Sequence, residues 1–399
     1  MAQDAHAMKA TSYGTTHQGK VRDVNEDHFA IALGGDLIVV CDGLGGHAAG
    51  EVASKTAVEV AVRHVTEQAA LLQEALLAKD GHYAVRILVD EAINEASRAV
   101  CELAESCTEY AGMGTTLTLG LLWSSSLVVG HVGDCRIYLL RDGELQRLTS
   151  DHTMAAELCR RGQLAPEEVE KSQLSHALTR VVGAQSAVLV DTSCLNVLPG
   201  DAYLVCTDGL YRYFDDLELT ELLAWPDLSG LPEALTSLAI ERGGADNITS
   251  IVIQVPRKVS QAAEAKAETV QRRLDALTFV PFLSQLSSRH LSLVLEVMES
   301  RNYESGELVL AQGQLMDGLY VLVDGDVSGL GSNHGDYLGE RDLTRTEPAE
   351  TELRAQADSE VLYLGASPLR SLVRRHPVLC TRLFWSLLTR GIVESGSTP

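Results

Sequence analysis

The sequence predicts an α+β fold: a layered sandwich of β-strands and α-helices, followed by a small β-roll domain with flanking helices. In the first 256 residues, groups of β-branched apolar runs are followed by paired stretches with helical spacing, which favours a layered sandwich over a repeating parallel βαβ arrangement. After residue 300, short strand-like runs broken by Gly and Asp are typical of a small β-barrel or jelly roll. The chain has 399 residues, of which 45% are apolar, and this length suggests two domains.

The strands of the first region are predicted from runs that favour β structure and end in acidic or glycine-rich loops. The predicted strand segments are 36–40, 115–123, 126–133, 135–149, 201–209 and 248–255. Segment 135–149 is predicted to be a hairpin that turns at Asp142-Gly143, because this dipeptide favours tight β-turns. Two stretches, 50–77 and 84–105, carry apolar residues at three- and four-residue spacing and are predicted to be helical.

The composition changes at Pro256, where a stretch rich in Ala, Glu and Arg begins. We therefore predict a first domain over residues 10–256, a helical linker over 257–272 and a second domain over 273–395. Within the second domain, segment 306–331 carries the short strands and segment 368–392 returns to helix.

The formal net charge of −23 argues against nucleic acid and anionic membranes as partners, because binding to either needs a basic surface. An acidic chain suits divalent cations, although the composition alone is equally well explained by solubility. The eight cysteines form no CxxC pair, the chain begins without the apolar core of a signal peptide, and no uncharged apolar run reaches 18 residues. We expect a cytoplasmic protein with reduced cysteines.

Five aspartates lie in loops of the first region, and three of them directly follow a predicted strand. The five are Asp27, Asp42, Asp134, Asp208 and Asp246. The segment around Asp42, VVCDGLGGHAAGE, has a glycine-rich loop that suits either a phosphate or a hard metal ion. A single Asp-Gly is ordinarily a turn, but five carboxylates in one region repel one another unless a cation joins them. Since no His/Cys cluster accompanies them, Mg²⁺ or Mn²⁺ is favoured over zinc, with Asp42 as a ligand and the Gly43 carbonyl beside it.

Six ordered motifs connect these aspartates to a known family. They are GKVRDVNEDHF, VVCDGLGGHAAGEVAS, GMGTTLTLGLL, GHVGDCRIYLLRDGELQRLTSDHT, LVCTDGLY and GGADNITSIVI. The series resembles the metal-dependent (type-2C, PPM-type) protein serine/threonine phosphatases over roughly residues 10–256. The resemblance implies an α-β-β-α sandwich with a binuclear Mn²⁺ or Mg²⁺ centre at one end, and a metal-activated water that hydrolyses phosphoserine or phosphothreonine.

The resemblance also implies a role for each acidic residue. Asp42 resembles the carboxylate that bridges both ions, and Gly43 resembles the carbonyl ligand. The other matching positions are Asp208 and Asp246 for the first ion, Asp27 with Glu26 beside it for ion-held waters, and Asp134 with Asp208 for a weaker third ion in bacterial members.

Two neighbouring polar residues complete the expected site. Arg22 resembles the arginine that binds the substrate phosphate, for which a guanidinium supplies paired donors. Taken alone, Arg22 is explained as readily by a surface ion pair with Asp23 or Glu26. Asn247 is expected to hold Asp246 from a second layer.

The general acid is not assigned by the motifs. Some members of the family carry a histidine directly after the Asp-Gly, where this chain has Leu44. His47 is interpreted as a loop or helix-start residue, and His152 is a further candidate with no better claim. An ion-held water is the remaining proton source. Residues 154–200 fit the family's flap, where we expect substrate choice to be determined.

Residues 273–395 resemble a cyclic-nucleotide-binding domain of the catabolite-activator type. Gly339-Glu340 stands where that family binds the ribose, but the arginine expected about nine residues later is replaced by Ala349, followed by Glu350. Arg345 lies four residues too early. An unpaired phosphate in a partly buried pocket costs several kcal/mol. We therefore predict a degenerate domain that does not bind cAMP or cGMP tightly, and that docks a partner, mediates dimerisation or restrains the catalytic domain.

Three functions compete at this point. The first is a metal-dependent phosphatase whose partner is a phosphoprotein substrate, with a regulatory partner or ligand at the second domain. The second is a catalytically weak, phosphatase-like binding module; the presence of every expected carboxylate argues against it. The third is an enzyme gated by a ligand other than a cyclic nucleotide.

Overall fold

The computed structural model describes residues 10–45, 49–76, 81–257, 261–284, 286, 288–339, 343, 347–375 and 383. The chain separates into two units, 1–264 and 265–399.

Antiparallel strands form two sheets in the first unit. The strands are β1 (Thr11–His17), β2 (Asp27–Ala32), β3 (Leu37–Leu44), β4 (Gly114–Thr115), β5 (Leu117–Trp123), β6 (Ser126–Val132), β7 (Arg136–Arg141), β8 (Glu144–Arg147), β9 (Asp191–Asn196), β10 (Ala202–Cys206) and β11 (Ile248–Gln254). One sheet has the order β1-β11-β10-β7-β8, and the other has the order β2-β3-β5-β6-β9 with β4 paired to β3. All the predicted strands are present, and Asp142 and Gly143 form the hairpin turn with φ of 52° and 80°.

Helices cover the outer face of each sheet. They are α1 (Ala49–Glu67), α2 (Ala69–Ala75), α3 (Gly81–Ser106), α5 (Asp208–Tyr211), α6 (Asp216–Leu223) and α7 (Leu231–Glu241), whereas α4 (Met154–Arg160) lies in the segment between β8 and β9. One apolar cluster joins α1–α3 to the β3-β5-β6 sheet, a second fills the space between the sheets, and a third joins α5–α7 to the other sheet. Three packed interfaces of this kind make an α-β-β-α sandwich, which confirms the predicted fold class.

The two sheets present the predicted aspartates at one end of the sandwich. Asp42 lies near the end of β3, Asp134 follows β6, and Asp208 follows β10. Asp27 begins β2 and pairs in register with Asp42. Strand ends of a packed sandwich are rigid supports, which explains how loops distant in sequence form a single site.

The second unit is a β-roll with helices at its ends, as predicted. Its helices are α8 (Gln261–Thr278), α9 (Ser288–Glu296) and α10 (Ala366–Arg375). Its strands are β12 (Glu299–Tyr303), β13 (Leu308–Leu310), β14 (Leu315–Met316), β15 (Gly318–Asp324), β16 (Val327–Ser328), β17 (Tyr337–Leu338), β18 (Glu347–Pro348), β19 (Leu353–Ala355) and β20 (Ser359–Gly365). They form small antiparallel sheets, the largest with the order β12-β20-β15-β17. The residue-272 boundary that the sequence predicts falls inside α8.

None of the helices in the described part of the chain combines the length and the apolar character that a membrane crossing requires. The cysteines of that part are all free thiols, of which Cys41, Cys135, Cys194 and Cys206 are buried.

Candidate metal centre

An open cavity of about 200 Å³ lies at the end of the sandwich where the aspartates meet. Its lining residues are Arg22, Glu26, Asp42, Gly43, Leu44, Gly45, Asp134, His176, Leu178, Asp208, Asp246 and Asn247. Every residue that the sequence assigned to the site lies on this lining except Asp27. The structure therefore brings together positions that are more than 220 residues apart in the chain.

Two threonines hold the backbone of Asp42 at the cavity. The Asp42 amide donates to the hydroxyl of Thr116 at 2.9 Å, and the hydroxyl of Thr115 donates to the Asp42 carbonyl at 2.8 Å. At Gly43, an added Cβ would lie 2.1 Å from the carbonyl oxygen of Gly50, at the start of α1. Only glycine allows this close approach, so the Gly43 backbone can face the cavity without a side chain in the way.

Asp27 lies beneath the cavity and points into the sandwich. Its side chain is 2% exposed, and one oxygen, Oδ2, accepts hydrogen bonds from Thr207 at 2.9 Å and Thr249 at 2.7 Å. Its other oxygen, Oδ1, is buried without a partner. Burial, with the charges of Asp208 and Asp246 adding to it, raises the pKa of Asp27 to about 7. An unpartnered buried carboxylate oxygen next to a cluster of carboxylates fits a site for a cation.

Arginines already hold two of the carboxylates. The Arg22 guanidinium makes a two-pronged contact with Asp246, with Nε 2.8 Å from Oδ1 and Nη2 2.9 Å from Oδ2. Glu26 lies 3.9 Å from Arg22, so the surface pair considered from the sequence is the lesser contact. Asp208 pairs at 2.6 Å with Arg212, which the sequence analysis did not single out.

Asn247 holds the loop around residues 18–26 more than it holds Asp246. Its side-chain oxygen accepts from the Glu26 amide at 2.8 Å, and its side-chain nitrogen donates to the carbonyls of Gln18 and Val24 at 2.9 Å. Its contact with Asp246 is made by the backbone amide, which donates to Oδ1 at 2.9 Å. The expected supporting role is therefore directed mainly at the Arg22–Glu26 loop.

The carboxylates of the cavity have raised pKa values, which favours the binding of cations. Burial raises the pKa of Asp42 well above its usual range, and the charges of Asp27, Asp208, Asp134 and Asp246 raise it further. Burial also raises the pKa of Asp134 to about 7, with Asp208 and Asp151 acting in the same direction. Carboxylates that repel one another in a buried cluster become fully charged only when a cation joins them.

The donor set suits Mg²⁺ or Mn²⁺. Within the described residues, no three Asp, Glu, His or Cys side chains are already gathered as ligands around one point. These ions keep several water ligands and take only one or two carboxylates each, so a loose ring of carboxylates with an accessible carbonyl is sufficient. The residues of the cavity therefore fit the predicted ions.

The structure corrects the assignment of His152 as a candidate acid. His152 is fully buried, its Nδ1 accepts from the amide of Gly133 at 3.1 Å, and its Nε2 contacts Asp191 at 3.1 Å. With both ring nitrogens engaged away from the cavity, it stabilises the loop that carries Asp134. His47 lies outside the described residues, and Leu44 lines the cavity.

Three positions at or beside the cavity were not predicted from the sequence. His176 and Leu178 line the cavity from the predicted flap, and Arg212 reaches Asp208 from the end of α5. The flap sequence has no helical or strand periodicity from which the residues that face the cavity could be predicted. The contact of Arg212 could have been predicted from the sequence. On a helix, a cation four residues after an aspartate lies next to that aspartate.

Comparisons with known proteins agree with both parts of this description. The family model described as "Cyclic nucleotide-binding domain" matches residues 300–376. The serine/threonine phosphatase Stp of Listeria monocytogenes is 33% identical over 243 residues, which are 60% of this chain and 93% of that protein. The protein phosphatase PstP of Mycobacterium tuberculosis is 35% identical over 238 residues, which are 60% of this chain and 43% of that protein.

Solved structures show the same relationship. The crystal structure of the M. tuberculosis phosphatase PstP/Ppp has a TM-score of 0.54 and 32% identity, covering 62% of this chain and 99% of that one. The catalytic domain of PstP in complex with two manganese ions has a TM-score of 0.53 and 32% identity, over 62% and 99% of the two chains. The family model described as "Protein phosphatase 2C" matches residues 13–238. That match spans more than half of the chain and contains most of the residues that line the acidic cavity, so the chain belongs to the protein phosphatase 2C family.

Proposed function

We propose that the first unit hydrolyses phosphoserine and phosphothreonine in protein substrates, with two manganese or magnesium ions held at the acidic cavity. The observation that carries this proposal is the convergence of Asp42, Asp134, Asp208 and Asp246 on one cavity that also contains Arg22. Asp42, Asp208 and Asp246 would hold the two ions, and the Gly43 carbonyl would be available as a further oxygen ligand. Asp134 would add its carboxylate charge on the Asp208 side of the cavity.

When bound, such ions lower the pKa of a water molecule, so that it attacks phosphorus at neutral pH, and they offset the negative charge of the phosphate. Arg22 then orients the substrate. Its side chain is 48% exposed at the cavity rim, and its planar guanidinium can exchange the carboxylate of Asp246 for two phosphate oxygens. Glu26 would hold water beside the ions from the cavity lining, whereas Asp27, which does not line the cavity, would act on the site through its charge. Burial raises the pKa of Glu26, so a bound cation would favour its charged form.

Turnover of a phosphothreonine peptide tests this proposal. We expect hydrolysis that requires Mn²⁺ or Mg²⁺, that stops with a chelator and that is lost in Asp208→Asn. Binding of manganese without any turnover would instead favour the phosphatase-like binding module. Turnover that a chelator leaves unchanged would contradict the metal-dependent mechanism.

For the second unit, we propose that the cyclic-nucleotide-binding fold has lost tight binding of cyclic nucleotides. Ala349, at the position where a phosphate-binding arginine is expected, is 5% exposed and packs in an apolar cluster with Leu310, Met316 and Leu353. Its backbone is paired with the loop before β14, donating to the Gln314 carbonyl at 2.8 Å and accepting from the Gly313 amide at 2.9 Å. A methyl group in a packed core thus stands where a cation is needed. Glu340 and Arg345 lie outside the described residues.

The roles proposed for this unit are therefore to dock a partner, to mediate dimerisation or to restrain the catalytic unit. Comparing the turnover of residues 1–257 with that of the full chain tests restraint, and the Stp relative indicates that a catalytic domain of this length exists by itself. A faster truncated protein supports restraint, whereas equal rates, with and without cell extract, exclude it.

A further inference from the structure

Arg212 has a position that the catalytic scheme does not use. It follows the short helix α5, which begins at Asp208, so the two side chains lie four residues apart on the same side. Its Nη2 lies 2.6 Å from Oδ2 of Asp208 and 2.7 Å from Nδ1 of His176, in the flap. One nitrogen atom of the guanidinium therefore connects a proposed metal ligand with the segment that covers the cavity.

The chemistry of this bridge is well defined. Nη2 carries two hydrogens, one for each acceptor, and a guanidinium has no acceptor of its own. Nδ1 of His176 is therefore the acceptor in this contact. Because arginine stays protonated at every accessible pH, this cation is permanent.

Arg212 also acts on a second carboxylate of the cavity. Burial, Asp208 and Asp151 all raise the pKa of Asp134, whereas the charge of Arg212 lowers it. The charge of Asp151 is held by Arg136 at 2.8 Å and Arg147 at 3.4 Å. The positive charge of Arg212 thus offsets the negative charges of Asp134 and Asp208 on their side of the carboxylate cluster.

We propose that Arg212 is a resident cation at the Asp134–Asp208 side of the cavity, where it takes the place of a further divalent ion and ties Asp208 to the flap through His176. This inference rests on the proposed two-ion phosphatase. An ion that bound Oδ2 of Asp208 would have to displace Nη2, and it would thereby break the contact with His176. Arg212 is accordingly a positioning residue that limits the number of ions and anchors the flap.

The number of bound ions provides the first test. Titration calorimetry and equilibrium dialysis with Mn²⁺ are carried out on the full chain, on Arg212→Gln and on the control Arg161→Gln, whose exposed side chain pairs with Glu157. We expect two ions for wild type and for the control. Arg212→Gln should bind an additional ion at least about tenfold more tightly than wild type does, because a charged hydrogen-bonded competitor has been removed. Adding Asp134→Asn should abolish that gain.

The flap provides the second test, with a readout that does not depend on turnover. In metal-free protein, cleavage after the exposed Lys171 by a lysine-specific protease should be several-fold faster in Arg212→Gln and in His176→Ala than in wild type. Arg212→Lys should keep the wild-type number of ions but lose the protection, since an ammonium lacks the planar fork. This variant carries the test if Arg212→Gln does not fold.

The outcomes separate the inference from the proposed function. Equal ion number and affinity in wild type and Arg212→Gln, or equal cleavage rates in all variants, would overturn the role of Arg212 and leave the two-ion phosphatase intact. A wild-type chain that binds no manganese would overturn both. A merely structural arginine would weaken ion binding when removed, which is the opposite of the expected change.

Discussion

The two units differ in the side chains that they place at their expected ligand-binding positions: charged in the first unit and apolar in the second. In the first unit, Asp27, Asp42 and Asp134 are kept in a buried cluster where burial and mutual repulsion raise their pKa values. In the second unit, the position where a phosphate-binding cation is expected holds Ala349, packed among apolar side chains. The first unit gathers carboxylates whose charged forms are disfavoured by burial, whereas position 349 of the second unit contributes apolar packing.

This difference is the basis for proposing a retained site in the first unit and a lost one in the second. Unpaired buried charge is destabilising, so its persistence indicates that a ligand compensates it. A buried methyl group contributes to stability without any ligand. A cavity that keeps its unfavourable electrostatics is therefore better evidence for a working site than the fold around it.

The largest expected effect comes from removing charge at the centre of the first unit. Asp42→Asn and Asp208→Asn should lower kcat/KM for a phosphothreonine peptide by roughly a thousandfold or more, because ions and substrate lose a shared anchor. Asp142→Asn is the matched control, since this exposed turn residue has φ of 52° and asparagine tolerates that conformation. Near-wild-type turnover in Asp42→Asn would contradict the claim that the carboxylates of the first unit form its working site.

A pair of glycines extends the comparison to the backbone. A Cβ at Gly43 would lie 2.1 Å from the Gly50 carbonyl oxygen, and a Cβ at Gly339 would lie 2.1 Å from the Gly318 carbonyl oxygen. Gly43→Ala should reduce turnover by about a hundredfold, because a shift near 1 Å misplaces the site. Gly339→Ala should destabilise the second unit and leave turnover within about twofold of wild type. Measured rates and circular dichroism distinguish the two outcomes; equal loss of turnover would contradict the separation.

The sequence predicted most of the catalytic site because the aspartates follow strands, and strand ends are where a sandwich can gather side chains. The orientation of Asp27 was not predictable in the same way. Glu26 and Asp27 are neighbours, so their side chains point in opposite directions, and only the register of β2 against β3 decides which one lines the cavity. The register depends on packing between strands and not on the local pattern.

Residues that act through long-range contacts were the ones that sequence reasoning missed or assigned wrongly. His152 follows a strand hairpin like a site residue, but tertiary packing buries both of its nitrogens. His176 reaches the cavity from an irregular flap, where no period shows which side chains face inward. In the second unit, the sequence-based hypothesis depends on a single position, Ala349, which the structure shows to be buried.

The pH dependence of stability measures the charge stored in the first unit. In the folded, metal-free protein, Asp27 and Asp134 have pKa values of about 7. In the unfolded chain, an aspartate has a pKa of about 3.9. The folded state therefore binds more protons in this window, so the free energy of unfolding falls as pH rises from about 4 to about 7. Urea unfolding of residues 1–257 with a chelator should show this slope, and saturating Mn²⁺ should remove it. Asp27→Asn should flatten the slope, and metal-free stability that rises with pH would contradict the charge cluster.

The smallest expected effect concerns cyclic nucleotides and the second unit. Millimolar cAMP or cGMP should give no binding heat with the full chain and should change turnover by less than about twofold, because position 349 holds a buried methyl group instead of a cation that could pair with the phosphate. Glu350→Ala removes a negative charge next to that position without supplying a positive one, so it should remain equally inert. Micromolar or tighter binding in either protein would contradict the loss of this site. Such binding would also mean that the phosphate is bound by a residue outside the described part of the β-roll. Glu340 and Arg345 lie outside that part.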